Sequence, residues 1–490
     1  MTYYLAFDLG AESGRAILGI LDKTGRLRIS QLHRFPNEMI NVRGSLHWDI
    51  LGLYREMLQA MRILAANYSG SPTSIGIDTW GVDFAFLDSL GNLVGMPFAY
   101  HDPRTKGAME EVFSRIPRAR LYQLTGTQFL PFNSVFQLYS MTRDRSPQLQ
   151  IAADLLFIPD LFNYYLTGIK KSEFSFATTS QLYNPTAGTW ENEIFQQLGL
   201  PKDMMQEILP SGTILGELAE NISLQTGLGR VPVVAVATHD TGSAVAAIPA
   251  SGENFAFISS GTWSCMGIES PTPIINEKTL NYDMSNEGCV GGTFRVLKNI
   301  VGLWLLQGCR KEWLKVRDYS YNELVKMAEK SAPIRTIIDP DRQEFLNPAS
   351  MPQAIKEFCR QTKQPIPEEM GQFVRVILES LALAYRFALE RLQEIGGRRL
   401  EQIHIIGGGS QNQLLCQFTA DATGLPVCAG PVEATTIGNI LVQAMAFGQI
   451  SSLVELRQVV RFSFALKHYE PRRTAYWDDA YQQFLKLKQL

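Results

Sequence analysis

Two stretches about 250 residues apart share one design, and nothing else in the chain restricts its fold so strongly. In "YYLAFDLGAESGRAILGIL" an apolar run meets a small-residue turn at Gly10 to Gly14, and a second apolar run follows. A further turn at Asp22 to Gly25 leads into a third run, so the spacing predicts an antiparallel meander. "FAFISSGTWSCMGIES" repeats the hairpin around Ser259, Ser260, Gly261 and Thr262. Self-similarity at this distance points to internal duplication. "AIPASGEN", with its proline, glycine and polar residues, reads as the boundary between halves 1–248 and 249–490. A length of 490 residues also exceeds what one hydrophobic core commonly serves.

The same ordering excludes two common nucleotide motifs. A Walker loop or dinucleotide fingerprint feeds its glycine turn into a helix, whereas Arg15 to Leu21 reads as a strand, and no G-x-x-x-x-G-K-[ST] occurs. A Gly- and Ser-rich hairpin can still present backbone N–H groups to a phosphate. Elsewhere the pattern alternates. "SIGIDTWGVDFAFLDSLGNLVG" predicts two strands joined at Trp80-Gly81, and residues 105–220 read as mostly helical. "FVRVILESLALAYRFALERLQEIG" keeps helical spacing up to Gly396-Gly397, and strand, triple glycine, helix, strand and helix follow. The class is α/β.

Composition narrows the partners. An apolar fraction of 45%, a charged fraction of 19% and a net charge of -3 supply no basic face for nucleic acid. No window reaches the roughly 18–20 apolar residues of a membrane span, and residues 1–30 lack a secretory pattern. The six cysteines form no C-x-x-C and the six histidines no H-x-x-x-H, so no structural zinc is expected and a reducing cytoplasm fits.

Four stretches can carry chemistry. "VAVATHDTGSAVAAIP" ends a buried strand on His239 and Asp240 before small residues that can begin a helix. Asp240 is either that helix's N-cap or a general base where ligands gather in open α/β folds. Asp8, at the end of the first strand, is either an ordinary turn acid or a partner for the water shell of Mg²⁺. Gly261 and Thr262 can meet a phosphate, and Gly407 to Gly409 leave room for a flat base at a helix start. Asp78, Trp80, Gly81 and Asp83 suit a sugar's C–H face and hydroxyls, or form a satisfied buried network. Asn299 and Gln307, eight apart in "RVLKNIVGLWLLQGCRKEW", read as one face of a helix.

Taken together, "DLGAESGR", "GIDTWGVDF", "TGTQFLPFN", "ATHDTGSAV", "SSGTWSCMG", "LKNIVGLWLLQ" and "GGGSQNQLLCQFTADATG" resemble, in order and nearly end to end, the carbohydrate kinases of the FGGY family. The resemblance implies a two-domain, duplicated ribonuclease H-like fold, as in actin and the heat-shock ATPases, with an interdomain active-site cleft. It also implies transfer of the γ-phosphoryl group of ATP to the 1-hydroxyl of L-rhamnulose, with Mg²⁺. By the same likeness Asp240 is the catalytic base, and Gly81, His239, Thr241 and Asn299 line the sugar site with it. Ala11, Glu12, Ser13, Gly14, Arg15, Thr262, Gln307 and Gly408 belong to the nucleotide, and Asp8 to the metal through water. Glu12, His101, Gly242 and Cys289 depart from the family's usual residues. Neighbouring ketoses (L-fuculose, D-xylulose, L-ribulose) are the alternative acceptors, and a non-catalytic sugar sensor of the same fold is the alternative from another class.

Overall fold

The opening meander forms as its turns dictate. In the computed structural model, which describes residues 1–68, 70–333, 335–472 and 474–489, β1 (Thr2–Leu9) pairs antiparallel with β2 (Ser13–Leu21), and β2 with β3 (Leu27–Pro36). Between β1 and β2 the Gly10 N–H donates to the Ser13 carbonyl. Gly14 has to lack a side chain, since a Cβ there would overlap the Phe35 ring. β4 (Ser74–Thr79) lies parallel to β1, and β6 (Pro232–Ala235) lies parallel to β4. With β5 (Thr213–Glu217) antiparallel at the edge, the order is β5-β6-β4-β1-β2-β3. Tyr4 to Leu9 are all buried, as expected of a central strand covered on both faces.

The second sheet repeats this plan. β7 (Phe255–Ser260) and β8 (Trp263–Ser270) make the antiparallel hairpin, with β9 (Phe294–Val301) beyond β8. β10 (Gln402–Ile406) runs parallel to β7, β11 (Val427–Ala429) parallel to β10, and β12 (Lys467–Tyr469) antiparallel to β11. Among the described residues the sheet has seven strands, with Ser285–Gly288 beyond β9. Its run β8-β7-β10-β11-β12 matches β2-β1-β4-β6-β5 in strand sense, although the two strands at the far edge follow each other in the opposite chain order.

The chain divides into two compact units. One comprises Met1–Ser251, Glu269–Val296 and Ala434–Ser463, and the other Gly252–Ile268, Leu297–Glu433 and the chain from Phe464 onward. Two segments from beyond residue 249 thus pack within the first unit. For the later one the cause is polar: the helix Ala434–Ala446 buries Asn439 and Gln443, whose amides find partners on Asp78, Ser74 and the Leu5 carbonyl. Gly76 and Gly438 permit the close approach, because a Cβ on either would overlap Asn439 or the Ser243 carbonyl. The apolar helix ending at Gly396 spans Met370–Gly396, and Gly397 closes it at φ +61°.

Candidate active site

Because β1, β4 and β6 are parallel, their carboxyl ends emerge at one edge of the first sheet. Asp8 stands level with Asp78 in the register, and Thr79 bridges to His239. In open α/β sheets this edge collects ligands.

Asp240 is the first residue of the helix Asp240–Ala246, so it is not the N-cap; His239 holds that position and its ring caps nothing. The Asp240 Oδ1 accepts from the Thr241 N–H at 2.5 Å and from its hydroxyl at 3.0 Å. Although 32% of its side chain is accessible, the recess is deep enough that burial, joined by the nearby Asp8 carboxylate, raises its carboxyl to about 6. Such a group is ionised at neutral pH yet basic enough to take a hydroxyl proton.

His239 leans against it, with Nε2 3.4 Å from Asp240 Oδ1. On its other side Nδ1 lies 2.9 Å from Arg295 Nη2 and 3.6 Å from Glu287 Oε2. Burial, and then the Arg295 charge, push the imidazole well below its usual range and keep it neutral. Gly81 leaves room for the ring, since a Cβ there would stand 3.0 Å from Nε2. The structure thus brings Gly81, His239, Asp240 and Thr241 together.

Asp8 pairs with Arg15, which faces it across the β1–β2 ladder, at 2.5 Å, and also accepts from Thr436 at 3.1 Å. Asp78 is fully buried, and burial, then Asp8, hold its carboxyl well above the ordinary range while Asn439 donates to Oδ2 at 2.6 Å. Among the described residues no group of three or more acids, histidines or cysteines is placed to hold an ion directly. The Asp8 oxygens suit an ion that keeps its own waters. Glu12 is exposed, so its carboxylate meets solvent.

Trp80 and Asp83 take the network reading instead of the sugar reading. Asp83 is fully buried and accepts from Trp48 Nε1 at 2.6 Å, Trp80 Nε1 at 2.9 Å and Gln137 Nε2 at 2.9 Å. Trp80 is 4% exposed and packs on Trp48 with centroids 4.3 Å apart, so its face is closed to a sugar.

In the second unit, Gln307 Nε2 donates to the Thr262 hydroxyl at 3.2 Å, which joins two predicted nucleotide residues. Asn299, however, does not share a helix face with Gln307. It sits in β9, where the Cys265 thiol donates to its Oδ1 at 2.9 Å, while Gln307 lies in the helix Trp304–Trp313. Gly302 between them packs directly on Ser264, so the chain turns there. The three glycines also divide. A Cβ on Gly407 or Gly409 would press on Ser260, whereas one on Gly408 would meet nothing within 4 Å. Gly408–Gln411 form a short 3₁₀ turn and the following helix starts at Gln413, so the glycines do not open that helix directly.

Sequence reasoning missed Arg295, Glu287 and Glu173. An arginine inside the apolar strand "FRVLKNIV" is the signal that could have found Arg295, because a charge there has to be paired. Gly242 and Cys289, two of the departures from the family pattern, meet beside it. The Cys289 thiol lies 3.9 Å from the Gly242 carbonyl, and a Cβ on Gly242 would come within 3.0 Å of Arg295 Nη1.

Comparison with known proteins places the chain in a family. Residues 3–247 match the N-terminal domain, and residues 256–447 the C-terminal domain, of the FGGY family of carbohydrate kinases. The chain is 48% identical over 481 residues to a rhamnulokinase of Bacteroides thetaiotaomicron, covering 98% of each chain. It is 41% identical over 487 residues to one of Pectobacterium carotovorum, covering 99% of this chain and 96% of that one. In fold it is similar to a gluconate kinase of Lactobacillus acidophilus (TM-score 0.83, 14% identity, 100% and 98% covered). A Plasmodium falciparum glycerol kinase with ADP is also similar (TM-score 0.79, 16% identity, 99% and 98% covered).

Proposed function

The chain belongs to the FGGY family of carbohydrate kinases and is an ATP-dependent sugar kinase, and from that premise we propose that its acceptor is L-rhamnulose, phosphorylated on the 1-hydroxyl to L-rhamnulose 1-phosphate in L-rhamnose catabolism. The observation that carries this reading is the Asp240 carboxylate, recessed at the carboxyl end of β6 with the neutral His239 beside it. The relatives named rhamnulokinase support the choice of sugar.

In this reading Asp240 accepts the proton of the 1-hydroxyl as its oxygen attacks the γ-phosphorus, a contribution of roughly 10²- to 10⁴-fold. His239 and Thr241 orient the ketose, Gly81 lets it approach, and Asn299 belongs to the same substrate. On the nucleotide side, backbone N–H groups of Ala11 to Arg15 and the Thr262 hydroxyl, held by Gln307, receive phosphate oxygens, while the open face of Gly408 takes the base. Mg²⁺, when bound, spreads the charge of the transferred group, and Asp8 would hold it through water. The reaction belongs in the cytoplasm, where ATP is supplied, and requires neither nucleic acid nor membrane.

The test is ADP release by the purified protein with ATP and Mg²⁺ against L-rhamnulose, L-fuculose, D-xylulose, L-ribulose and glycerol. Selective turnover of L-rhamnulose is expected. Preference for another ketose would overturn the substrate, and sugar binding without turnover would favour a sensor.

A further inference from the structure

We propose that Arg295 is a positioning residue for the phosphoryl transfer: its guanidinium fixes His239 as the tautomer protonated on Nε2, so that this N–H faces Asp240 and the acceptor hydroxyl. The proposal rests on Asp240 being the base, and it concerns a residue whose side chain is wholly buried behind His239.

The geometry leaves His239 little freedom. A guanidinium donates and never accepts, so Nδ1, 2.9 Å from Arg295 Nη2, has to be the acceptor. A neutral ring then carries its proton on Nε2, the nitrogen 3.4 Å from Asp240 Oδ1. The backbone is fixed as well, because the His239 N–H donates to Ser175 Oγ at 3.2 Å. The charged groups around the ring are Arg295 and Glu287 on one side and Asp240 on the other, with Glu173 behind them through Thr238 and Ser175.

Stability alone does not account for Arg295. Its side chain is 0% exposed, Nη2 is shared between Glu287 at 2.7 Å and His239, and Nε and Nη1 have no hydrogen-bond partner among the described residues. A buried charge with three of its five donors unmatched holds a fold together less well than an apolar side chain of the same size. Its distinctive contribution is a donor that cannot become an acceptor. Without it, Nδ1 would face Glu287 Oε2, which only accepts, and the ring would take a proton on Nδ1 to meet it.

The test is ¹⁵N-histidine NMR of the full chain, with the His239 signals assigned by their loss in His239→Gln. Expected in the wild type is a bare Nδ1 and a protonated Nε2 throughout the range from about pH 6 to 8. In Arg295→Met, Nδ1 becomes protonated, and KM for the ketose rises roughly 10- to 100-fold while KM for ATP stays put, with Arg295→Lys recovering part of the loss. A protonated Nδ1 in the wild type would overturn the proposal, as would an Arg295→Met protein whose His239 signals and ketose KM are unchanged. Should the Met variant not fold, Glu287→Gln serves: a bare Nδ1 there supports the proposal and a protonated one contradicts it. The spectrum reads the same whichever sugar is phosphorylated, so a wrong sugar would show only in the acceptor panel.

Discussion

Glu173 Oε2 accepts both the backbone N–H of Thr238, at 3.0 Å, and its hydroxyl, at 2.9 Å, and so ties down the residue two positions before Asp240. Its Oε1 accepts from the Ser175 N–H at 2.9 Å and from the Ser211 hydroxyl at 2.5 Å. Glu173→Gln would set an NH₂ group against these donors, and an unmatched buried donor costs about 1–3 kcal/mol. Denaturant unfolding should show a lower midpoint with turnover reduced in the folded fraction. An unchanged midpoint would mean that the turn is held by other contacts.

Activity and stability should respond to acid in opposite directions. With the Asp240 carboxyl at about 6, kcat/KM for the ketose should fall as pH drops through that value, because the base becomes protonated. Asp83, also raised to about 6, first by burial, acts on stability alone. Its folded value exceeds that of the unfolded chain, roughly 3.9. The stability it contributes is therefore complete below the unfolded value and is lost as pH rises through about 6. Unfolding measured from pH 4 to 8 should show this slope flattened in Asp83→Asn, and an identical slope in both proteins would refute the assignment.

The glycine triplet separates packing from ligand contact. Gly409→Ala should destabilise by about 1–3 kcal/mol, since its Cβ would overlap the Ser260 side chain. Gly408→Ala meets nothing in the protein and should leave the unfolding midpoint alone while raising KM for ATP. Equal ATP affinity in wild type and Gly408→Ala would remove Gly408 from the nucleotide site.

Trp80→Phe keeps a buried ring and loses only the N–H bond to Asp83. Stability should drop by about 0.5–1.5 kcal/mol, or somewhat more because the acceptor is a carboxyl, with the ketose KM unaltered. A large rise in KM at full stability would restore Trp80 as a sugar platform.

What the chain discloses in one dimension is what forms locally. Both hairpins are legible because small residues at Gly10–Gly14 and Ser259–Thr262 interrupt apolar runs, and the turn geometry is decided within those few positions. Asp240 is legible because it sits where a strand stops. Glu287 and Arg295 are not, since they lie 47 and 55 residues downstream of Asp240 and reach His239 only after their segment folds into the first unit. The helix reading of Asn299 failed for a related reason: "RVLKNIV" is apolar at several spacings, and pairing in the sheet, which no local pattern encodes, selects the strand. Trp80 and Asp83 look like a sugar platform until Trp48 and Gln137 arrive from elsewhere to satisfy them.

The most direct test of the account is single-turnover phosphorylation of L-rhamnulose by Asp240→Asn beside the wild type, with sugar and ATP affinities measured separately by calorimetry. The expected result is unchanged binding of both ligands with phosphoryl transfer slowed by roughly 10²- to 10⁴-fold. Near-normal transfer in a variant that binds both would contradict the assignment of Asp240 as the base.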